Sequence, residues 1–245
     1  MPAKPILVAS DVHLGAISRT QERAFLGWLA HCADAASALI LNGDLFDFWF
    51  EYRSVIPRGY TRVLGILADL ADGGLPVTLM GGNHDWWGGA YFREELGVEF
   101  LTDPVVRTLA GRATFLAHGD GLGRGDAGYR LLRLILRGRA TRWAFRWLHP
   151  DIGARVARNV SQTVERWGTP TEAERKRSRV LEAWARTKLA EEPALDLVLL
   201  GHTHLPLLCE VGDARWYVNT GDWVHHRSYL TLREGAPPRL EEWSG

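Results

Sequence analysis

Two hydrophobic periods alternate along this chain. It opens on "PILVASD", a short β-branched apolar run closing on polar residues, which predicts a buried strand. "QERAFLGWLAHCAD" follows, with Phe25, Leu26, Leu29 and Cys32 at helical spacing. "SALILNGD" predicts a second buried strand, "RVLGILADLADGG" a helix closed by glycines, and "LPVTLMGGNHD" a third strand. Strand, helix, strand, helix, strand implies right-handed crossovers and a parallel core sheet with helices packed on it. Beyond residue 98 the runs shorten to "VEFL", "VVRTLAG" and "RATFLAHGD", typical of adjacent strands. From about 126 to 190 the chain turns helical and arginine-rich, and "LDLVLLGHTH", "WYVNTGD" and "SYLTLRE" return to strand. The pattern predicts a single domain over 1–245, an α/β layer interrupted by a helical insertion at 126–190 and completed by a second β segment, with no internal repeat.

Composition narrows the class only a little. With 245 residues, 46% of them hydrophobic and 24% charged, the chain can bury a full core. A net charge of zero gives no basis for non-specific nucleic-acid binding, and no nucleic-acid partner is expected. Nothing calls for an obligate protein partner. Cys32 and Cys209 are the only two cysteines and fall in helix-like and strand-like contexts, which argues against a disulfide framework and for a reducing compartment. The first residues are too short an apolar stretch for a signal peptide, and no run is long enough to span a bilayer. The expectation is a cytoplasmic protein, compatible with lying on a membrane surface.

Candidate chemistry sits where the strands end. Five segments close on metal-binding residue types: "SDVHLG" with Asp11 and His13, "NGDLFD" with Asp44 and Asp47, "GGNHD" with Asn83 and His84, "LAHGD" with His118, and "LGHTH" with His202 and His204. Residues two apart on an extended segment project to one side, so each D-x-H or H-x-H pair reaches toward one point. In an open α/β sheet the carboxyl ends of the strands share one crevice, which would gather the distant segments. Carboxylates, imidazoles and one amide, without thiolate, suit divalent ions such as Mn²⁺, Fe²⁺ or Zn²⁺. Seven such donors are too many for one tetrahedral site. They suit two ions about 3.5 to 4 Å apart, which polarise a phosphoryl oxygen and generate a nucleophilic hydroxide at neutral pH. Gly43, Gly82, Gly119 and Gly201, beside these donors, would allow sharp turns and close approach. Singly, each motif has an ordinary reading as accident or turn; five in this order, each after an apolar run, argue for a site.

The series D-x-H, G-D-x-x-D, G-N-H-D, a single His and G-H-x-H resembles the calcineurin-like metallophosphoesterase superfamily. That resemblance implies an α/β fold, a two-layer β-sandwich flanked by helices with a helical cap insertion, and a dinuclear centre at its edge. It implies that Asp11, His13, Asp44 and His204 hold one ion, and that Asp44, as bridge, with Asn83, His118 and His202 holds the other. Manganese leads among the metals, with iron, zinc or magnesium as alternatives. His84 resembles the superfamily's proton donor to the leaving oxygen, and Asp47 the carboxylate that orients it. A carboxylate on one ring nitrogen would raise the imidazole's basicity and leave the other nitrogen to donate.

The likeness runs further. "NGDLFDFWFEYRSVIPRGY", "AHGDGLGRGDAGYRLLR", "RWLHPDIG" and "GHTHLP" resemble the UDP-2,3-diacylglucosamine diphosphatase family of lipid A biosynthesis, over nearly the whole chain. This implies hydrolysis of the pyrophosphate of a nucleotide lipid, with Asp126, Tyr129 and Arg130 contacting substrate. One departure stands out: where best-known members resemble G-N-R-D with a partner Glu, this chain keeps the wider superfamily's pair, His84 and Asp47.

The insertion interleaves Arg130, Arg133, Arg137, Arg139, Arg142, Arg146, Arg155 and Arg158 with Leu, Ile, Trp and Phe. A basic amphipathic segment with aromatics fits the cytoplasmic face of a membrane. It equally fits a roof over acyl chains, or a helix that packs one face on the core and solvates the other. Trp86 and Trp87, and the aromatics of "FDFWFEY", pose the same choice between lipid wall and core. Competing functions are a general phosphodiesterase or phosphatase, and a metal-stabilised binding protein.

Overall fold

The computed structural model describes residues 3–125, 127–153, 155 and 171–245. Two sheets face each other. In the first, β1 (Ile6–Ala9), β2 (Ala38–Asn42), β3 (Val77–Met80) and β4 (Glu99–Leu101) run parallel in that order, joined through α1 (Arg19–Ala35), α2 (Thr61–Asp72) and α3 (Ala90–Glu94). In the second, β5 (Val105–Leu109) pairs antiparallel with β6 (Arg112–Leu116), which lies parallel to β7 (Leu197–Leu200). Further out come β9 (Arg215–Asn219), parallel to β7, and the antiparallel edge β8 (Leu207–Gly212). The chain then returns to the first sheet, where β10 (Ser228–Leu232) pairs antiparallel with β1, and β11 (Arg239–Glu242) with β10.

Successive side chains on a strand point to opposite faces, and here both faces are covered. On β1, Leu7 and Ala9 pack with Phe25, Trp28 and Leu29 of α1 and Leu67 of α2. Val8, between them, joins Leu116, Leu197, Leu199 and Val218 in the space between the sheets. The second sheet repeats the scheme: Val198 and Leu200 face outward onto Leu181, Ala185 and Leu189 of α6 (Glu172–Glu191). Helices, sheet, sheet and helix form a two-layer β-sandwich flanked by helices. Capping boxes open α1 at Ser18 with Gln21, and α6 at Thr171 with Glu174.

The two-layer sandwich implied by the resemblance is borne out, while the pattern reading of an α/β layer completed by a second β segment is corrected to two sheets. The late strands β7 and β9 do not complete the first sheet; only β10 and β11 do. A short apolar run buried on both faces carries no mark of which sheet it will join. Of the stretch 126–190, α4 (Ala127–Arg137) and α5 (Arg139–Arg146) lie over the strand ends, whereas α6 packs on the sandwich itself. Asp126 and Arg158 lie outside the described residues.

Candidate metal centre and its cap

The carboxyl ends of both sheets meet at one edge. Asp11 and His13 follow β1, Asp44 and Asp47 follow β2, and Asn83 and His84 follow β3, while His118 follows β6, and His202 and His204 follow β7. Hydrogen bonds lace the two sheets there. The Asp11 carboxylate accepts from the His202 backbone N–H at 2.9 Å, and Asn42 donates to the Ala117 carbonyl at 3.0 Å. The pairwise projection expected of extended backbone is not how the donors converge. Asp11, His13, Asp44, His202 and His204 all have positive φ, between 51° and 72°, in the left-handed region that non-glycine residues rarely occupy. Such strain persists only where surrounding bonds over-determine it, and it concentrates at functional sites. Three of the four glycines are needed for close approach: a β-carbon on Gly43 would strike the His118 ring, one on Gly82 the Asp44 carboxylate, and one on Gly201 the Asp11 carboxylate.

Donor atoms fall into overlapping groups, each within 4.8 Å of one another: Asp11, His13 and His204; Asp44, His118 and His202; and His13, Asp44 and His84. His118 Nε2 stands 3.2 Å and His13 Nε2 3.9 Å from Asp44 Oδ2, and His204 Nε2 3.7 Å from Asp11 Oδ1. Both ring nitrogens of His13 and Nε2 of His118 are buried without a hydrogen-bond partner. Orphaned imidazole nitrogens beside buried carboxylates are the chemistry a divalent cation satisfies, so the residues present fit the metal the motifs imply. Outer partners set the tautomers. A carbonyl only accepts, so His118 Nδ1–H donates to Asn42 O at 3.0 Å and Nε2 is the nitrogen directed at Asp44. Asn83 is exposed at the rim.

Electrostatics in the metal-free centre follow from burial and pairing. Burial would raise Asp44, but the imidazoles of His118, His84 and His13 outweigh it and hold the carboxyl well below its usual range. Burial likewise opposes protonation of His118, yet Asp44 wins and lifts it well above the usual imidazole value. At His202 burial, helped by the neighbouring His118, outweighs Asp120 and Asp44 and pushes the imidazole down to about 3. A cation at this centre therefore competes with the proton that the raised His118 imidazole holds.

His84 lies inside the cluster, its ring meeting His13 edge-on at 4.8 Å between centroids. Its Nδ1–H donates to the main-chain carbonyl of Asp47 at 2.8 Å, while the Asp47 carboxylate stands 3.8 Å away and at the same distance from His13 Nδ1. The Asp47 backbone carbonyl thus stands closer to His84 than the Asp47 carboxylate does.

Three supporting carboxylates escaped the reading of the sequence. Asp85 is fully buried and accepts from the backbone N–H groups of Gly82, Asp44, Leu45 and Phe46, clamping the third strand end onto the second. Burial and the nearby Asp44 raise it to about 6. Asp222 accepts from His204 Nδ1–H at 3.2 Å, and Asp120 anchors the cap. The signal was present: Asp120 and Asp222 sit in Gly-Asp pairs just past β6 and β9, as Asp44 does past β2.

The cap docks through its polar face. Tyr129, Arg133 and Arg137, four residues apart along α4, all donate to Asp120 Oδ2, at 3.2, 3.2 and 3.1 Å. Arg130 donates to the Gly123 carbonyl at 3.0 Å. Trp86 lies under the guanidinium of Arg137 at 4.6 Å, and Trp87 donates to the Leu136 carbonyl at 3.1 Å. Phe145 of α5 packs on Phe50 and Trp87 at 4.6 and 5.0 Å between centroids. The tryptophans behind Asn83 and His84 are the seat of the cap, while Phe46 and Trp49 of "FDFWFEY" belong to the core.

A buried imidazole–carboxylate cluster on the edge of a two-sheet sandwich defines a metal-dependent phosphoesterase, and the chain belongs to the calcineurin-like phosphoesterase family, whose model matches residues 4–206. Among curated proteins it is 33% identical to a UDP-2,3-diacylglucosamine hydrolase of Porphyromonas gingivalis, over 91% of this chain and 92% of that one. It is 30% identical to the UDP-2,3-diacylglucosamine hydrolase of Aeromonas hydrophila, over 96% and 97% of the two chains.

Proposed function

We propose that this phosphoesterase hydrolyses the pyrophosphate of UDP-2,3-diacylglucosamine to UMP and 2,3-diacylglucosamine 1-phosphate, at a two-ion centre served by manganese. The observation that carries the lipid half of this reading is the orientation of α4. Its charged row faces Asp120, and Leu131, Leu134 and Ile135 face solvent. Eight of the ten exposed large hydrophobics among the described residues lie between 131 and 152, with Leu134 70% and Trp147 76% exposed. An apolar patch of that kind is a contact surface for acyl chains and the acyl boundary of a bilayer. Arg139 and Arg146, exposed beside it, suit lipid phosphates, so we place the protein peripherally on the cytoplasmic face of the membrane. No helix among the described residues is long and apolar enough to cross it.

The clusters Asp11, His13 and His204 and Asp44, His118 and His202 would hold one ion each, with Asp44 as bridge and Asn83 on the second ion as the family motif implies. Bound there, the ions would polarise a phosphoryl oxygen and acidify the attacking water. His84, its Nδ1 fixed by the Asp47 carbonyl, delivers a proton from Nε2 to the oxygen that leaves when the P–O–P bridge breaks. Asn83, at the rim, donates from its amide to the phosphoryl oxygen that gains charge. Asp126, Tyr129 and Arg130 would meet the nucleotide lipid from the cap. The test is release of UMP from UDP-2,3-diacylglucosamine by manganese-loaded protein, beside bis-p-nitrophenyl phosphate. Turnover of the aryl diester alone would replace this reading by a general phosphodiesterase, which the retained His84 also suits.

A further inference from the structure

Asp222, just past β9, is fully buried and carries two histidines, of which only one faces the metal centre. Its Oδ2 accepts from His204 Nδ1–H at 3.2 Å. Its Oδ1 accepts from His226 Nδ1–H at 3.0 Å and from the backbone N–H groups of His225 and His226 at 2.9 and 3.0 Å. The segment is tied down on both sides. Trp223 N–H donates to the Asp11 carbonyl at 3.1 Å, and Gln21 of α1 donates to the Val224 carbonyl. A carboxylate whose Oδ1 is held by three donors cannot swivel, so Oδ2 stays aimed at His204. With Nδ1–H committed to Asp222, His204 must present its Nε2 lone pair on the side of Asp11, 3.7 Å away.

We propose that His226 is a positioning residue for the ion site of Asp11, His13 and His204: through Asp222 it fixes the tautomer and angle of the His204 imidazole. The inference rests on the reading that these three residues hold a divalent ion. The plainer view makes Asp222 only a turn residue that collects two backbone N–H groups. The two views part at one atom. Replacing the His226 ring leaves both backbone bonds in place and removes only the side-chain bond on Oδ1.

The experiment is calorimetric titration of Mn²⁺ into chelator-stripped, full-length protein, with melting of the metal-free form as a check on folding. Outer partners of metal-bound histidines typically contribute about 10- to 100-fold in affinity. The wild type should take up two ions, and His226→Ala should weaken one step by about tenfold and leave the other unchanged. His226→Asn, whose amide nitrogen replaces the ring Nδ1, should restore most of the lost affinity. Metal-free melting should be the same for all three. Isotherms equal for wild type and His226→Ala would overturn the inference alone, as would equal weakening of both steps or an alanine defect that asparagine does not repair. Wild-type protein that takes up no manganese would overturn the two-ion reading and this inference with it.

Discussion

Helices α1 and α4 are both amphipathic, and they are mounted opposite ways round. Helix α1 buries Phe25, Trp28, Leu29 and Cys32 against the first sheet, which is where hydrophobic burial puts an apolar stripe. Helix α4 buries the polar atoms of Tyr129, Arg133 and Arg137 on Asp120 and leaves Leu131, Leu132, Leu134 and Ile135 in water. Exposing four such side chains forgoes roughly 1.5 to 3 kcal/mol each that burial would return. A fold that needed α4 only for stability would turn it over. On the proposed reading the inverted helix answers to what it meets outside the protein, while α1 answers to what it meets inside.

The largest effect should come from the rigid half. His84→Ala removes the proposed proton donor and leaves the seven proposed ion ligands in place, so turnover should fall by about a thousandfold while metal content, measured by mass spectrometry, stays near wild type. A parallel loss of metal would instead make His84 a ligand with His13 and Asp44. His204→Ala should lower both. The loss in His84→Ala should be similar for the nucleotide lipid and for a small aryl diester, because the strand-end centre serves either. Full activity in His84→Ala would remove its assigned role.

Next comes the core under α1. Trp28 is fully buried against Phe25, Trp223 and Tyr229, and Trp223 in turn bonds the Asp11 backbone. Trp28→Ala should cost about 3 to 5 kcal/mol by urea unfolding. A cost under about 1 kcal/mol would mean that the α1 interface is not the tight layer described here.

A smaller effect separates the centre from the cap by pH. His118 in the metal-free protein is raised by Asp44, so an ion must displace a proton to bind. Manganese affinity should accordingly rise with pH, by about tenfold per unit for one displaced proton, below the raised value of His118. The same pair gives a stability prediction of definite sign for the metal-free protein. The raised imidazole contributes fully below its unfolded value, about 6.5, and the contribution is lost as pH climbs through the raised folded value. The lowered carboxyl contributes above about 4, its unfolded value, and its contribution is lost on acidification through the lowered folded value. Calorimetric titrations over the neutral range and melts from below about pH 4 to above about pH 7 check both, and a pH-independent manganese affinity would break the proton-linkage argument.

The same contrast sets how much the sequence reveals. Asp11, His13, Asp44, His118, His202 and His204 were legible because each follows an apolar run that could only be a strand. The family resemblance carried the two-layer sandwich; what was not legible is long-range pairing: which strand joins which sheet, that five of these six donors stand on left-handed backbone, and that Asp85 collects four amides. The orientation of α4 was open for a different reason. Its periodicity fixes that a polar row and an apolar row exist, but which row faces inward depends on Asp120, a residue separated from it by a glycine-rich turn.

The smallest expected effect bears most directly on that orientation. Leu134 and Trp147 are exposed, so replacing both with serine removes almost no packing. Stability should change by less than about 0.5 kcal/mol, and solubility should rise if anything. Aryl-diester turnover should hold, because Asp120, Arg133 and Arg137 still seat the helix. The nucleotide lipid should nevertheless show a several-fold higher KM, and flotation with anionic vesicles should weaken, on the order of a kcal/mol for each apolar side chain withdrawn. If instead the double variant lost stability and kept its KM, the leucine row would be packing on something in this chain, and α4 would be an ordinary helix after all.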